Sequence, residues 1–280
     1  MDVHSLPRLG VGIGYRPEMR ELYSQHADRI DWLELIADRY LEPESLERAL
    51  PLKERFPLVP HGLEMSVGSD QPLDTEYCEQ IAEFIQAIDA PFHSDHLCMT
   101  KIGGHDTGIE MGTLVPLPFT ETVASRCAAK ARQIRDLLGV PFALENITYP
   151  FQLPGSMPEA EFLQAVMDEG ECGMLLDLTN VFINSQNHGY DPYRFLESLP
   201  LDRVVQVHLA GSIKQGDEWI DSHSHGVDSH PEVWGLLEYT VAHSPVRGVL
   251  FERDQSFPDD FVEILADLDR AREIFDGAPN

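Results

Sequence analysis

Six short segments of the 280-residue sequence carry side chains that bind metals or move protons. His61 lies in Leu58-Val59-Pro60-His61-Gly62, and His93-Ser94-Asp95-His96 holds two imidazoles and a carboxylate. Farther on come Ala143-Leu144-Glu145-Asn146, Leu175-Leu176-Asp177-Leu178-Thr179-Asn180, Val205-Gln206-Val207-His208 and Leu250-Phe251-Glu252-Arg253-Asp254. A further stretch, Asp221-Ser222-His223-Ser224-His225, adds another acid and more imidazoles. Burying one carboxylate among apolar neighbours costs several kcal/mol unless it is paired or binds a metal. Several on one rim would repel one another. Divalent or trivalent cations offset that repulsion directly. A carboxylate can bridge two metals and an imidazole cannot, so a mixed Glu/Asp/His shell suits a multinuclear site. In an extended segment Asp221 and His223 project to the same side, as two ligands of one metal should.

Each position also has a plainer reading. His61 or His208 alone is a hydrogen-bonded core histidine, and Glu145 or Glu252 alone is half of an ion pair with Arg253. His225 and His230 read as loop residues, and His4, His26 and His105 as surface residues. Joint placement is what points to a metal. Other chemistries fit less well. The chain has no G-x-S-x-G elbow and no H-E-x-x-H pair. Glu145 and Glu252 would permit glycoside hydrolysis, which leaves the histidines unexplained. Cys98 near His96 suggests a thiol nucleophile, but acidic neighbours raise a thiol pKa. Cys98 is better read as a small buried strand residue.

The elements that hold these residues alternate. Candidate strands are Leu9–Tyr15, Asp31–Ala37, Leu58–Gly68, Pro91–Met99, Pro141–Ile147, Gly173–Asn180, Val204–Gly211 and Gly248–Asp254. Amphipathic stretches separate them: Pro17–Asp28, Pro43–Phe56, Thr75–Ile88, Phe119–Leu138, Pro158–Glu169, Pro192–Ser198, Pro231–His243 and Asp259–Phe275. Several open with proline, a normal first-turn residue. Eight strand–helix repeats predict a (β/α)₈ TIM barrel in one domain spanning 1–280, with the reactive residues at the C-terminal strand ends. A doubly wound sheet is the alternative, but no G-x-G-x-x-G follows the first strand. Gly10, Gly12 and Gly14 alternate inside it and share a face. Lys101–Pro118 and Ser212–Ser229 read as long irregular connections at that end.

Composition sets the outer bounds. The formal charge is −28, from 20 basic and 48 acidic residues, with no basic patch. Such a charge repels a phosphate backbone and argues against nucleic-acid binding. With 42% hydrophobic residues the chain can build a core. Four widely spaced cysteines fit a reducing cytosol. No membrane span or signal peptide is expected, which predicts a cytoplasmic protein.

The ordered set of segments resembles the DUF692 family, multinuclear non-haem iron-dependent oxidative enzymes. The resemblance is carried by Gly10 to Pro17, Asp31-Trp32-Leu33-Glu34, His61-Gly62-Leu63 with Ser66-Val67-Gly68, and Ser94-Asp95-His96-Leu97-Cys98. It continues in Leu144-Glu145-Asn146, Asp177 to Asn180 with Asn187-His188-Gly189, Val207 to Gly211, Asp221-Ser222-His223 and Glu252-Arg253-Asp254. It implies a xylose isomerase-like barrel holding two or three Fe ions of mixed Fe(II)/Fe(III) state, with O2 as co-substrate. Carried over position by position, the implied metal ligands are His61, His96, Glu145, Asn146, Asp177, His208, Asp221, His223 and Glu252. Glu145 would bridge, and Asn146 and Asn180 would ligate or support. Glu145, Asp177 and Asn180 would carry the catalysis, and Asp95 would ligate or orient His96. Thr179 stands where the family often has the first of two asparagines. The implied substrate is a Cys-containing precursor peptide made on the ribosome, brought by a small peptide-presenting partner protein. The alternative is a Zn, Mn or Mg barrel acting as an isomerase or phosphodiesterase, because the ligand set alone does not fix the metal.

Overall fold

In the computed structural model, residues 1–103 and 109–278 are described; His105 lies outside them. Eight parallel strands close into a barrel. They are β1 (Gly10–Gly14), β2 (Leu33–Ile36), β3 (Leu58–Gly62), β4 (His93–His96), β5 (Phe142–Glu145), β6 (Gly173–Asp177), β7 (Val204–Ala210) and β8 (Gly248–Glu252). Each strand neighbours the next in sequence, and β8 returns to β1. The fold is the expected (β/α)₈ TIM barrel.

Alternation along the strands sorts two cores. Outward residues such as Leu33, Leu58, Phe142, Leu144, Val207 and Phe251 join the large cluster under the helices. A smaller cluster fills the bottom of the barrel: Trp32, Val59, Phe92, Ala143, Val205 and Leu250, capped by Val3, Leu6 and Leu9 from the N-terminal segment. Trp32 occupies space that only glycine leaves open, since a Cβ on Gly12 would lie 2.6 Å from its indole. Two residues beyond these apolar positions stand Glu34, His61, Ser94, Glu145 and Glu252. Strand periodicity therefore stacks a polar layer directly above the apolar plug. Register levels it: His96 pairs with Glu145 and Asp177 with His208.

Three features depart from the sequence reading. The third strand ends at Gly62, six residues before the expected Gly68. Beyond it the backbone turns to side chains: Leu63 N–H donates to Asp38, Met65 N–H donates to Asp95, and Ser66 adopts φ 46°. The sixth strand ends at Asp177, and Leu178–His188 is a helix. Asp177 caps it by accepting the Asn180 N–H at 2.7 Å, and Gly189 closes it at φ 74°. Its first eight residues are all buried, so the segment lacks helical amphipathy, and Leu178, Thr179 and Asn180 read as the end of the strand. Both connections expected to be irregular contain hairpins, Met99–Ile102 with Ile109–Val115 and Ile213–Gln215 with Glu218–Ile220. Among the described residues, no helix is long and apolar enough to cross a membrane.

Candidate metal centre

The polar layer converges at the C-terminal end of the barrel, in two groups that share Glu145. His61, His96 and Glu145 form one, and Glu145, Asp177, His208 and Glu252 form the other. Within each group the ligand atoms lie within 4.8 Å of one another. The sharing is resolved atom by atom. Glu145 Oε2 lies 3.3 Å from His61 Nε2 and 3.5 Å from His96 Nε2, while Oε1 lies 3.4 Å from His208 Nδ1. Glu252 Oε2 is 3.2 Å from the same His208 Nδ1.

The atoms that meet here do not satisfy one another. Glu145 Oε2, Asp177 Oδ2, His208 Nδ1 and Asn180 Oδ1 are buried without a hydrogen-bond partner among the described residues. Unpaired buried polar atoms are rare, because each costs its desolvation. Several pointing at one volume is what a cation site requires, and this donor set of imidazoles and carboxylates fits a divalent transition metal.

A third cluster lies at the rim. Asp221 Oδ1 and His223 Nε2 stand 2.7 Å apart, and both are unpartnered in hydrogen-bond geometry. They do not meet through an extended segment, as alternation predicts. His223 sits at φ 45°, and this turn swings its ring onto Asp221. His223 Nδ1 lies 3.3 Å from Asp254 Oδ2 and 3.7 Å from Glu252 Oε2, which joins this cluster to the main one. Asp254 is itself held by Arg16, whose Nε donates to Oδ1 at 2.7 Å.

Supporting contacts orient the donors. His61 Nδ1 engages Ser94 Oγ at 2.9 Å, which turns Nε2 to the centre. The amide of Asn146 is latched to the backbone of Asp177 at both ends, each bond 2.9 Å, so it sits behind Asp177 and not among the unpartnered atoms. Asn180 Nδ2 donates to the Asn146 carbonyl and leaves Oδ1 free. Thr179 exchanges hydrogen bonds with the Ala210 backbone through its hydroxyl. Asp95 accepts the backbone N–H groups of His96 and Met65. His93 faces outward and stacks on Phe142. Arg253 pairs with Glu263, and neither Glu145 nor Glu252 is its partner. Cys98 is buried in the bend after β4, and burial, then Asp95 and other acids, push its thiol well above the usual range. His230 is buried against Phe182 and Trp219.

Electrostatics follow from the crowding. Burial first, then Glu145, Asp221 and Glu252, raises Asp177 well above the usual carboxylate range. Burial alone would depress His208, but Glu34, Glu252 and Glu145 prevail and raise it well above the normal imidazole. Burial and the neighbours His96 and His208 lower His61 well below it. The site demands positive charge, which His208 and His223 supply by holding protons while His61 stays neutral.

One residue at the site escapes the sequence reading. Glu34, in β2, is 4% exposed, and its Oε2 lies 3.1 Å from His208 Nε2. It stands in a matching segment, and the signal that finds it is its place two residues beyond Trp32, on the inward face.

Comparison with known proteins supplies the relatives. Residues 10–276 match a family model described as RiPP precursor modification enzyme MbnB/TglH/ChrH. A UPF0276 protein of Shewanella oneidensis is 34% identical over 275 residues, covering 95% of this chain and 96% of that one. A UPF0276 protein of Neisseria meningitidis serogroup C is 37% identical over 265 residues, 92% of each chain. Among solved structures, a xylose isomerase domain protein from Planctomyces limnophilus superposes with a TM-score of 0.61 at 12% identity, covering 98% of this chain and 99% of that one. Endonuclease IV from Thermus thermophilus gives 0.58 at 16% identity, covering 96% of this chain and 100% of the other. At such identities the structural likeness concerns the fold alone.

Proposed function

The chain belongs to the MbnB/TglH/ChrH family of RiPP precursor modification enzymes, and from that premise we propose that it is an iron- and O2-dependent oxidase acting on cysteine residues of a ribosomally synthesised peptide. The observation that carries this reading is Glu145. Its two oxygens face separate donor groups, as a carboxylate bridging two metals requires. His61, His96 and Glu145 would hold one iron, and Glu145, Asp177, His208 and Glu252 a second. Asp221 and His223 would be donors for a third. When bound, iron supplies thiolate affinity and one-electron chemistry toward dioxygen.

The polypeptide's part is to hold and orient. Ser94 fixes His61, Asn146 fixes Asp177, and the Arg16–Asp254 pair fixes His223. Asn180 Oδ1 is an unpaired acceptor that would ligate or support the metal beside Asp177. The apolar plug below the polar layer keeps water from the rear of the site. Exposed Ile109, Met111 and Phe151 offer apolar contact to a peptide or to the small partner protein that presents it. All four cysteines are buried and free, which suits a reducing compartment and leaves the thiol chemistry to the substrate.

The test is anaerobic loading with Fe(II), then exposure to oxygen with a cysteine-containing precursor peptide. The expected result is iron uptake and oxygen-dependent change in peptide mass, both lost in Glu145→Ala. A folded chain that takes up no iron, or turnover with a redox-silent metal and no oxygen, would favour the isomerase or phosphodiesterase alternative.

A further inference from the structure

We propose that Glu34 is a positioning residue that fixes the His208 ring so that Nδ1, and not Nε2, is the atom offered to the metal. The inference rests on the metal-binding part of the reading above and assumes nothing about iron or dioxygen.

Glu34 differs from the other carboxylates of the polar layer. Glu145, Asp177 and Glu252 face the shared centre, whereas Glu34 Oε2 engages the far side of His208, 3.1 Å from Nε2. The same oxygen accepts the Gln206 amide at 2.5 Å; Gln206 Nε2 lies 2.7 Å from His208 Nε2, and with Nε2 protonated both nitrogens donate to Glu34 and not to each other. The three groups close a triangle, and all three residues are buried. Gln206 joins it because it lies two residues before His208 and shares its strand face. Across the ring, Nδ1 lies 3.2 Å from Glu252 and 3.4 Å from Glu145, with hydrogen-bond geometry to neither.

A neutral imidazole has one N–H and one lone pair. A carboxylate on Nε2 holds the proton there, directs the lone pair of Nδ1 at the centre and strengthens it as a donor. Glu34 thus acts on the metal through His208, without entering its shell. The cost of an additional buried acid is offset by the two N–H donors that converge on it.

The experiment uses the full chain labelled with 15N-histidine and loaded with Zn(II), a diamagnetic probe. In long-range 1H–15N spectra the wild type is expected to show His208 protonated at Nε2 and coordinated through Nδ1. Glu34→Leu is expected to lose that Nε2 proton signature and to bind zinc roughly 10–100-fold more weakly. Glu34→Gln retains an oxygen acceptor without the charge and should fall between the two. Coordination through Nε2 in the wild type would overturn the proposal. So would variants that melt at lower temperature yet keep the wild-type His208 signals and zinc affinity, the result for a merely structural Glu34. Should Glu34→Leu not fold, Glu34→Gln decides alone, and unshifted signals with unchanged affinity overturn the proposal. Failure of the wild type to take up zinc would overturn the metal-binding reading and this inference with it. Normal uptake with variants that match the wild type overturns this inference alone.

Discussion

At the scale of single residues, burial sets the charge states. Asp267 illustrates the rule away from the site. It is 5% exposed, accepts the Val227 N–H, and is pushed up to about 7 by burial, with Asp228 and Glu263 adding to the shift. A carboxyl raised in the folded state favours folding while it is protonated. Its contribution is complete below about pH 4 and fades as pH rises toward 7, by about 1.4 kcal/mol per unit. Asp267→Asn should therefore match the wild type in urea unfolding near pH 4 and exceed it near pH 8. Equal midpoints at both pH values would contradict this. The residue types of the metal centre were legible in the sequence because acids and imidazoles stood at the ends of apolar runs. Glu34 was not, because an isolated Glu in Trp32-Leu33-Glu34-Leu35 gives no sign that its partner lies 174 positions away.

At the scale of elements, the barrel was legible because its strands are apolar, short and evenly separated by helical patterns. The helix Leu178–His188 was not. Its first eight residues are buried on every side, and the cue is one capping acid, Asp177. That acid does two things: Oδ1 starts the helix, and Oδ2 stays unpaired at the centre. The two roles separate by substitution. Asp177→Asn keeps an oxygen for the cap and loses the charge, so it should lower metal content with little loss of stability in the apo protein. Asp177→Ala should lose metal as well and cost roughly 1 kcal/mol more through the lost cap. Metal analysis beside thermal melting checks both. Similar melting of the two apo variants would show that the cap carries no weight. The left-handed turn at His223 was equally hidden, since nothing in Asp221-Ser222-His223 demands a positive φ.

At the scale of the whole molecule, the charge of −28 argues against a nucleic-acid partner but identifies no function. Placement of a few acids does that. Like charges held in one layer make the apo protein less stable than its size allows, and cations relieve the strain. Metal loading should raise the melting temperature, with a gain of about 2.7 kcal/mol when free metal stands 100-fold above its dissociation constant. Chelation should reverse it. In Glu145→Ala the gain should shrink sharply, because both donor groups lose a member. A chelator that leaves wild-type melting unchanged would contradict this.

The central claim is that Glu145 joins two iron positions. Mössbauer spectroscopy of the anaerobically loaded chain addresses it most directly. Two or three irons per chain are predicted, with spin coupling that disappears in Glu145→Ala. A single isolated iron, or coupling that survives the loss of Glu145, would contradict it.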